Sequence, residues 1–267
     1  MIRWLRSTRY VLSTLLCASC FLAAGAVTVV GHRGCVIGVE NTAEAFRAAH
    51  EVYGYDGIEC DVRVTADGEY VIMHDESTAR LGDSVIVARA TLAQLKALEL
   101  RQTRRGVAYT GRICTVAEYL DICLETGMFP IIELKWTPGI NNNDMSRFDG
   151  LARLVEEHGL TDRAVILTSM RQSLEYVREH HPRLRCQWLC RKSWTEHIGW
   201  CREWGIEPSI MWSDYDAETV NRFAAQGQPV ATWTIDSVAN ALEAARMGVA
   251  TITTNMLWPG AVVGAPR

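Results

Sequence analysis

The sequence predicts a (β/α)8 barrel, a closed parallel sheet with helices between its strands. Three observations carry that expectation. From Val27 onward, short β-branched runs alternate with amphipathic stretches, the pattern of repeated strand–helix–strand units and a parallel sheet. About eight such units in about 250 residues is the size of this barrel. No Gly-x-Gly-x-x-Gly and no Walker-type loop opens a helix, which counts against a nucleotide-binding doubly wound sheet, the other fold the alternation allows.

The elements follow in chain order. Val27–Gly31 reads as the first strand and Thr42–Val52 as the first helix, with Ala45, Ala48 and Ala49 on one face. Gly57–Thr65 and Tyr70–Met73 are predicted strands joined by Asp67-Gly68, a hairpin-type turn signal. Leu92–Leu98 and Val116–Glu125 read as helices and Phe129–Lys135 as a strand. Then come helix Arg147–His158, strand Ala164–Thr168, helix Ser173–Glu179, strand Leu184–Leu189 and helix Trp194–Trp204. Strand Glu207–Met211, helix Ala217–Ala225, strand Val230–Ile235, helix Val238–Met247 and strand Val249–Thr253 complete the series. The segment after His74 is short, so no separate insertion domain is expected there.

Composition bounds the function. With 48% hydrophobic and 22% charged residues over 267, the chain reads as globular rather than disordered. A net charge of -4 and a pI near 6.0 lack the electrostatic footprint of a nucleic-acid binder. Residues 1–26 differ from the rest: Arg3, Arg6 and Arg9 precede the uncharged run Tyr10–Ala26, which ends in Ala24-Gly25-Ala26. That reads as an export signal, or as a membrane anchor if it is retained, ahead of one domain over 27–267. The expected location is therefore outside the cytoplasm; a start site placed too early would make the protein cytoplasmic. Seven cysteines follow this segment, an odd and sparse set that makes no disulfide framework. Cys186, Cys190, His197 and Cys201 invite a zinc reading, but residues four apart on a strand are about 13 Å apart, so buried thiols are expected. The tryptophans Trp188, Trp194, Trp200, Trp204 and Trp212 are read as helix–barrel packing.

Chemistry concentrates at predicted strand ends, where barrels of this kind place their sites. Gly31-His32-Arg33-Gly34 follows the first strand; Arg33 offers a planar fork for phosphate or carboxylate, and an imidazole such as His32 can titrate near neutral pH. In Ile58-Glu59-Cys60-Asp61-Val62-Arg63-Val64, alternation puts Glu59, Asp61 and Arg63 on one face and the apolar residues on the other. Carboxylates facing a barrel interior are costly unless a cation or donor neutralises them. Ile131-Ile132-Glu133-Leu134-Lys135 repeats the pattern, with Glu133 and Lys135 sharing a face. Glu59, Asp61 and Glu133 form an all-oxygen set suited to Mg²⁺ or Ca²⁺ rather than zinc, and Lys135 beside them suits a phosphate oxygen. His74-Asp75 ends the strand Tyr70–Met73 and supplies a second imidazole.

The combination His32-Arg33-Gly34, Glu40-Asn41-Thr42, Glu59-x-Asp61-Val62, Thr65-x-Asp67-Gly68 and Val71-x-x-His74-Asp75 resembles the glycerophosphodiester phosphodiesterase family. Ile132-Glu133-Leu134-Lys135 and Thr232-Trp233-Thr234 resemble its downstream motifs, and the likeness runs from about Val27 to Asn255. It implies a barrel that hydrolyses a glycerophosphodiester to sn-glycerol 3-phosphate and an alcohol with one divalent cation. By resemblance, Glu59, Asp61 and Glu133 match the metal ligands, His32 and His74 the acid/base pair, and Arg33 and Lys135 the phosphate contacts. Glu40 and Asn41 are assigned to shaping the site, and Trp233 matches an aromatic near the alcohol pocket. Where family members often carry Thr-Asp after the last strand, this chain has Thr254-Asn255, so no acid is carried over there. Two alternatives remain at this stage: lysophospholipase D-type release of a lysophospholipid head group, and an inactive relative that only binds phosphodiesters. The intact set of His32, His74, Glu59, Asp61 and Glu133 speaks against the latter.

Overall fold

The computed structural model describes residues 27–191 and 194–262. Eight parallel strands form the barrel: Thr28–His32, Gly57–Val64, Phe129–Leu134, Val165–Thr168, Arg185–Cys190, Glu207–Met211, Ala231–Trp233 and Thr251–Thr254. Each pairs with its successor. The eighth returns to the first, with Thr28 opposite Thr251 and Gly31 opposite Thr254, so the sheet closes. This is the expected (β/α)8 barrel. The segment 1–26, read as an export signal or anchor, lies outside the described residues. Among the described residues no helix is long and apolar enough to cross a membrane.

Alternation sorts the strand residues as the sequence predicts. Ile58, Cys60 and Val62 point outward into the main core, where they meet Phe46, Tyr119 and Leu120 of the surrounding helices. Glu59, Asp61 and Arg63 lie between them on the inner face, all buried. Val30, Ile131, Val165 and Leu167 form a separate apolar cluster inside the barrel. Val30 and Ile131 each precede a site residue, His32 and Glu133, by two positions, so this plug lies one layer below the mouth. The predicted first helix is an α-helix over Ala43–Ala48 continued by a π-helical turn, Ala49–Tyr53, and the Thr42 hydroxyl accepts from Ala45 N as its cap.

The stretch after His74 forms no separate domain, as expected, but it is a larger lobe than its length suggested. Residues 75–113 pack Leu81, Val87, Leu95, Leu100 and Ile113 in one cluster with Val39, Val71 and Met73 beside the barrel. The lobe contains the antiparallel hairpin Leu100–Arg104 and Val107–Gly111. Of the hairpin residues only Leu100 is fully buried, so its alternation carries no apolar stripe and gives no strand signal. The cysteines behave as expected: the seven described are unpaired and buried. Trp188 and Trp200 pack edge-to-face at 5.6 Å and Trp204 packs against the main core, as expected, whereas Trp212 is exposed and the Trp194 side chain lies outside the described residues.

Candidate active site

The turn that follows the first strand is built around close approaches. A Cβ on Gly31 would lie 2.2 Å from the Gly34 carbonyl oxygen, and one on Gly34 would lie 2.7 Å from the Ala45 carbonyl carbon. Gly34 also has φ +88, a conformation glycine adopts without penalty. The chain therefore folds tightly against the first helix, and Arg33, itself at φ 54, turns back over the mouth. Its backbone N–H donates to Glu59 Oε2 at 3.1 Å.

Register brings the carboxylates together. His32 lies opposite Glu59, and Asp61 opposite Glu133, on adjacent parallel strands. One oxygen each of Glu59, Asp61 and Glu133 falls within 4.8 Å of the others, the one group among the described residues able to hold a metal ion. Lys135 Nζ reaches Glu133 Oε1 at 2.8 Å and Asp61 Oδ1 at 3.2 Å. Arg33 Nε lies 3.1 Å from Asp61 Oδ2 but is not aligned to donate, and Asn41 Nδ2 donates to that oxygen at 2.8 Å. Burial alone would raise Asp61; Arg33 and Lys135 overcome it and hold the carboxyl well below the usual range. Glu59 goes the other way, raised by burial and then by Asp61 and Glu133. Burial and Asp61 push Glu133 up to about 7. Two of three buried carboxyls thus resist ionising, because Arg33 and Lys135 do not supply enough positive charge. An oxygen-only set with unmet demand for positive charge fits a hard divalent cation.

Both imidazoles are pinned through Nδ1. His32 Nδ1 lies 2.9 Å from Asn255 Oδ1. Asn255 donates its Nδ2 to Asp236 Oδ2 at 2.6 Å and its backbone N–H to Asp236 Oδ1 at 2.8 Å, which turns the amide oxygen toward the ring. His32 therefore donates from Nδ1 and keeps Nε2 as an acceptor. Burial, then Arg33, lowers its pKa to about 4. His74 Nδ1 meets Asp75 Oδ1 at 2.7 Å. Its pKa is lowered by burial first and then by Arg33 and Lys135, with Asp61 opposing them. The carboxylate nearest to the His32–Asn255 contact is that of Asp236, which reaches the ring only through Asn255.

Glu40 is fully engaged. It accepts from Arg33 Nη1 at 2.9 Å, from Arg80 Nη1 and Nη2 at 3.0 and 2.6 Å, and from Gln102 Nε2 at 2.8 Å. Against the opposing effect of burial, the hydrogen bonds of Arg80 and the charge of Arg33 lower it to about 2. Arg63 shares the carboxylate face as expected, yet it turns to the chain: Nη2 and Nε donate to the His74 carbonyl at 2.6 and 3.1 Å, and Nη1 to Thr137 Oγ1 at 3.2 Å.

A cavity of ≈ 180 Å³ opens at this mouth, lined by His32, Arg33, Glu59, His74, Glu133 and Lys135 on one side. Leu167, Gln187, Leu189, Ser209, Trp233 and Thr253 line the other, and Trp233 Nε1 donates to the Ser209 carbonyl at 3.2 Å. A larger cavity of ≈ 390 Å³ lies at the opposite end, beside strand starts such as Thr28 and Phe129. The carboxylate group and both pinned imidazoles are at the C-terminal mouth, which is where chemistry resides in this fold. All ten residues singled out from the sequence converge there. Arg80, Asp75, Gln102, Asp236 and Asn255, which bind them, were not anticipated as partners.

Comparison with known proteins agrees in fold and family. A sequence model of the glycerophosphoryl diester phosphodiesterase family matches residues 30–257. A glycerophosphodiester phosphodiesterase of Caldanaerobacter subterraneus is 29% identical over 237 residues, covering 85% of this chain and 93% of that protein. Glycerophosphodiester phosphodiesterase 1 of Mus musculus is 27% identical over 241 residues, covering 79% and 72%. A solved Silicibacter pomeroyi structure superposes with a TM-score of 0.80 at 23% identity, covering 90% of this chain and 92% of that one. An Oleispira antarctica phosphodiesterase, solved with the product sn-glycerol-3-phosphate, gives 0.74 at 21%, covering 86% and 93%.

Proposed function

The chain belongs to the glycerophosphoryl diester phosphodiesterase family and is a phosphoric diester hydrolase, and on that premise we propose that it cleaves glycerophosphodiesters to sn-glycerol 3-phosphate and an alcohol with the help of a divalent cation. The observation that carries the proposal is the carboxylate group of Glu59, Asp61 and Glu133 facing two imidazoles whose Nε2 atoms are left open.

Glu59, Asp61 and Glu133 would hold the cation, Mg²⁺ or Ca²⁺, which when bound neutralises nonbridging phosphate oxygens. Arg33 and Lys135 add charge where negative charge builds on phosphorus. Asn41 and Glu40 keep Asp61 and Arg33 in place. His32, held neutral behind an uncharged amide, accepts the proton of the attacking oxygen. His74, with the Asp75 carboxylate behind it, delivers a proton to the departing alkoxide. Trp233 forms part of the wall against which the glycerol or alcohol moiety rests.

The test is release of glycerol 3-phosphate from several glycerophosphodiesters, and of the head-group alcohol with lysophosphatidic acid from lysophospholipids, each with and without chelator. Chelation should abolish release, and Mg²⁺ or Ca²⁺ should restore it. Full activity after exhaustive chelation would sink the metal assignment, and a preference for lysophospholipids would change the substrate. We propose further that the 1–26 segment exports the protein or tethers it to a membrane; recovery of the full chain in the cytoplasmic fraction of expressing cells would overturn this.

A further inference from the structure

Arg80, on the lobe turn Thr78–Leu81, joins the two sides of the proposed machinery. Each of its guanidinium nitrogens is engaged: Nη1 and Nη2 donate to the two oxygens of Glu40 at 3.0 and 2.6 Å, and Nε donates to Asp75 Oδ2 at 2.7 Å. Behind Glu40 stands Arg33, 2.9 Å away, and behind Asp75 stands the His74 Nδ1, 2.7 Å away. The path Arg33–Glu40–Arg80–Asp75–His74 is therefore hydrogen-bonded without a gap.

We propose that Arg80 is a positioning residue that sets the phosphate-facing Arg33 and the proton-delivering His74 relative to one another, gripping Glu40 and Asp75 at the same time. The inference rests on the roles given above to Arg33 and His74. A guanidinium bound to both oxygens of a carboxylate fixes its direction as well as its distance, which a point charge does not. Glu40 accepts from Arg33, Arg80 and Gln102, so it is occupied as a support. Asp75 has Arg80 as its partner on the side away from His74. Without Arg80, one carboxylate could rotate away from Arg33 and the other from His74, and the two would face each other uncompensated. The lobe thereby contributes to the reaction through a residue outside the cavity lining.

The experiment measures hydrolysis of glycerophosphocholine at saturating Mg²⁺ or Ca²⁺ by the wild type, Arg80→Met, Glu40→Gln, Asp75→Asn and the two double variants containing Arg80→Met. Arg80→Met should lower kcat by about 10- to 100-fold, the scale seen when hydrogen-bonded supports of site residues are removed, with a smaller change in KM. Each double variant should lose less than the product of its single losses, since all the changes cut one path. Added guanidinium ion should restore part of the kcat of Arg80→Met. A kcat close to wild type, or losses that multiply independently with both partners, overturns the proposal. Should Arg80→Met fail to fold, Arg80→Lys carries the test: its single ammonium serves one carboxylate poorly and the other not at all, so a wild-type kcat overturns the proposal equally. A wild type inactive on every glycerophosphodiester would instead overturn the proposed function on which this link rests.

Discussion

The mouth of the barrel has two unlike arcs. The first three strands and the loops that leave them supply its charges: Arg33, Glu59, Asp61, Glu133 and Lys135, with His32 and His74. The other five strands supply Leu167, Gln187, Leu189, Ser209, Trp233 and Thr253, none of them charged. Neighbouring strands lie about 4.8 Å apart, so acids on adjacent strands can share one cation, whereas acids spread around the ring could not. On the proposed function, one arc would bind a phosphate and its counter-ion, and the other would present a neutral wall to the organic part of a substrate.

Breaking the charged arc should have the largest effect. Asp61→Ala removes the carboxylate that Arg33, Lys135 and Asn41 all face. Turnover should fall by about 10³-fold at ordinary metal concentration, the upper range for one preorganised electrostatic group. Glu59→Ala and Glu133→Ala should each raise the metal concentration needed for half activity; an unshifted metal titration in either would remove that residue from the metal shell.

The imidazoles come next. His32→Ala and His74→Ala should each lose about 100-fold or more, the scale of general acid–base catalysis. The two should separate on a substrate with a p-nitrophenyl leaving group, which needs no proton. There the His74→Ala deficit should shrink while that of His32→Ala persists, and equal deficits on both substrates would refute the division of roles.

Lys135→Ala and Arg33→Lys should lose about 10- to 100-fold, the kinetic equivalent of a charged hydrogen bond. Added metal should not rescue them, because on the proposed function their charges act on the substrate phosphate rather than hold the cation. In the neutral arc, Trp233→Ala should act chiefly on KM and on the ranking of alcohol groups, leaving metal dependence unmoved. A metal-titration shift in that variant would dissolve the distinction between the arcs.

The smallest effect is on stability. Glu133 titrates near 7 in the fold against an ordinary value of 4.5. A raised carboxyl contributes its stability below about 4.5 and loses it as pH climbs toward about 7. With metal chelated, Glu133→Gln, which does not ionise, should therefore gain on the wild type in thermal midpoint across that window. Saturating divalent cation should reverse the order, and a difference constant with pH would contradict the shift.

What the sequence made legible follows the same divide. Glu59, Asp61 and Glu133 could be placed on the inner face because strand alternation is a local property, readable two residues at a time. Their supports were hidden, because they come from distant segments: Asp236 reaches His32 only through Asn255, and Gln102 and Arg80 reach Glu40 across the lobe. Arg63 shows the limit of alternation itself. It lies on the inner face as predicted, but a side chain that long chooses its partners by what surrounds it, here the His74 carbonyl and Thr137. Within the lobe the helix Leu92–Ala97 was legible, but the hairpin went unread because its polar strands leave no periodic apolar trace.

The apolar plug of Val30, Ile131, Val165 and Leu167 turns the barrel into a blind vessel. On the proposed function, cation, substrate and both products would then share the mouth ringed by Arg33, His74 and Trp233. Traffic through one doorway is sequential, so departure of the phosphate product competes with entry of the next diester. An anion resembling glycerol 3-phosphate should accordingly inhibit by occupying the threshold, competitively with substrate, and it should do so more strongly as the charged arc is better supplied with its cation.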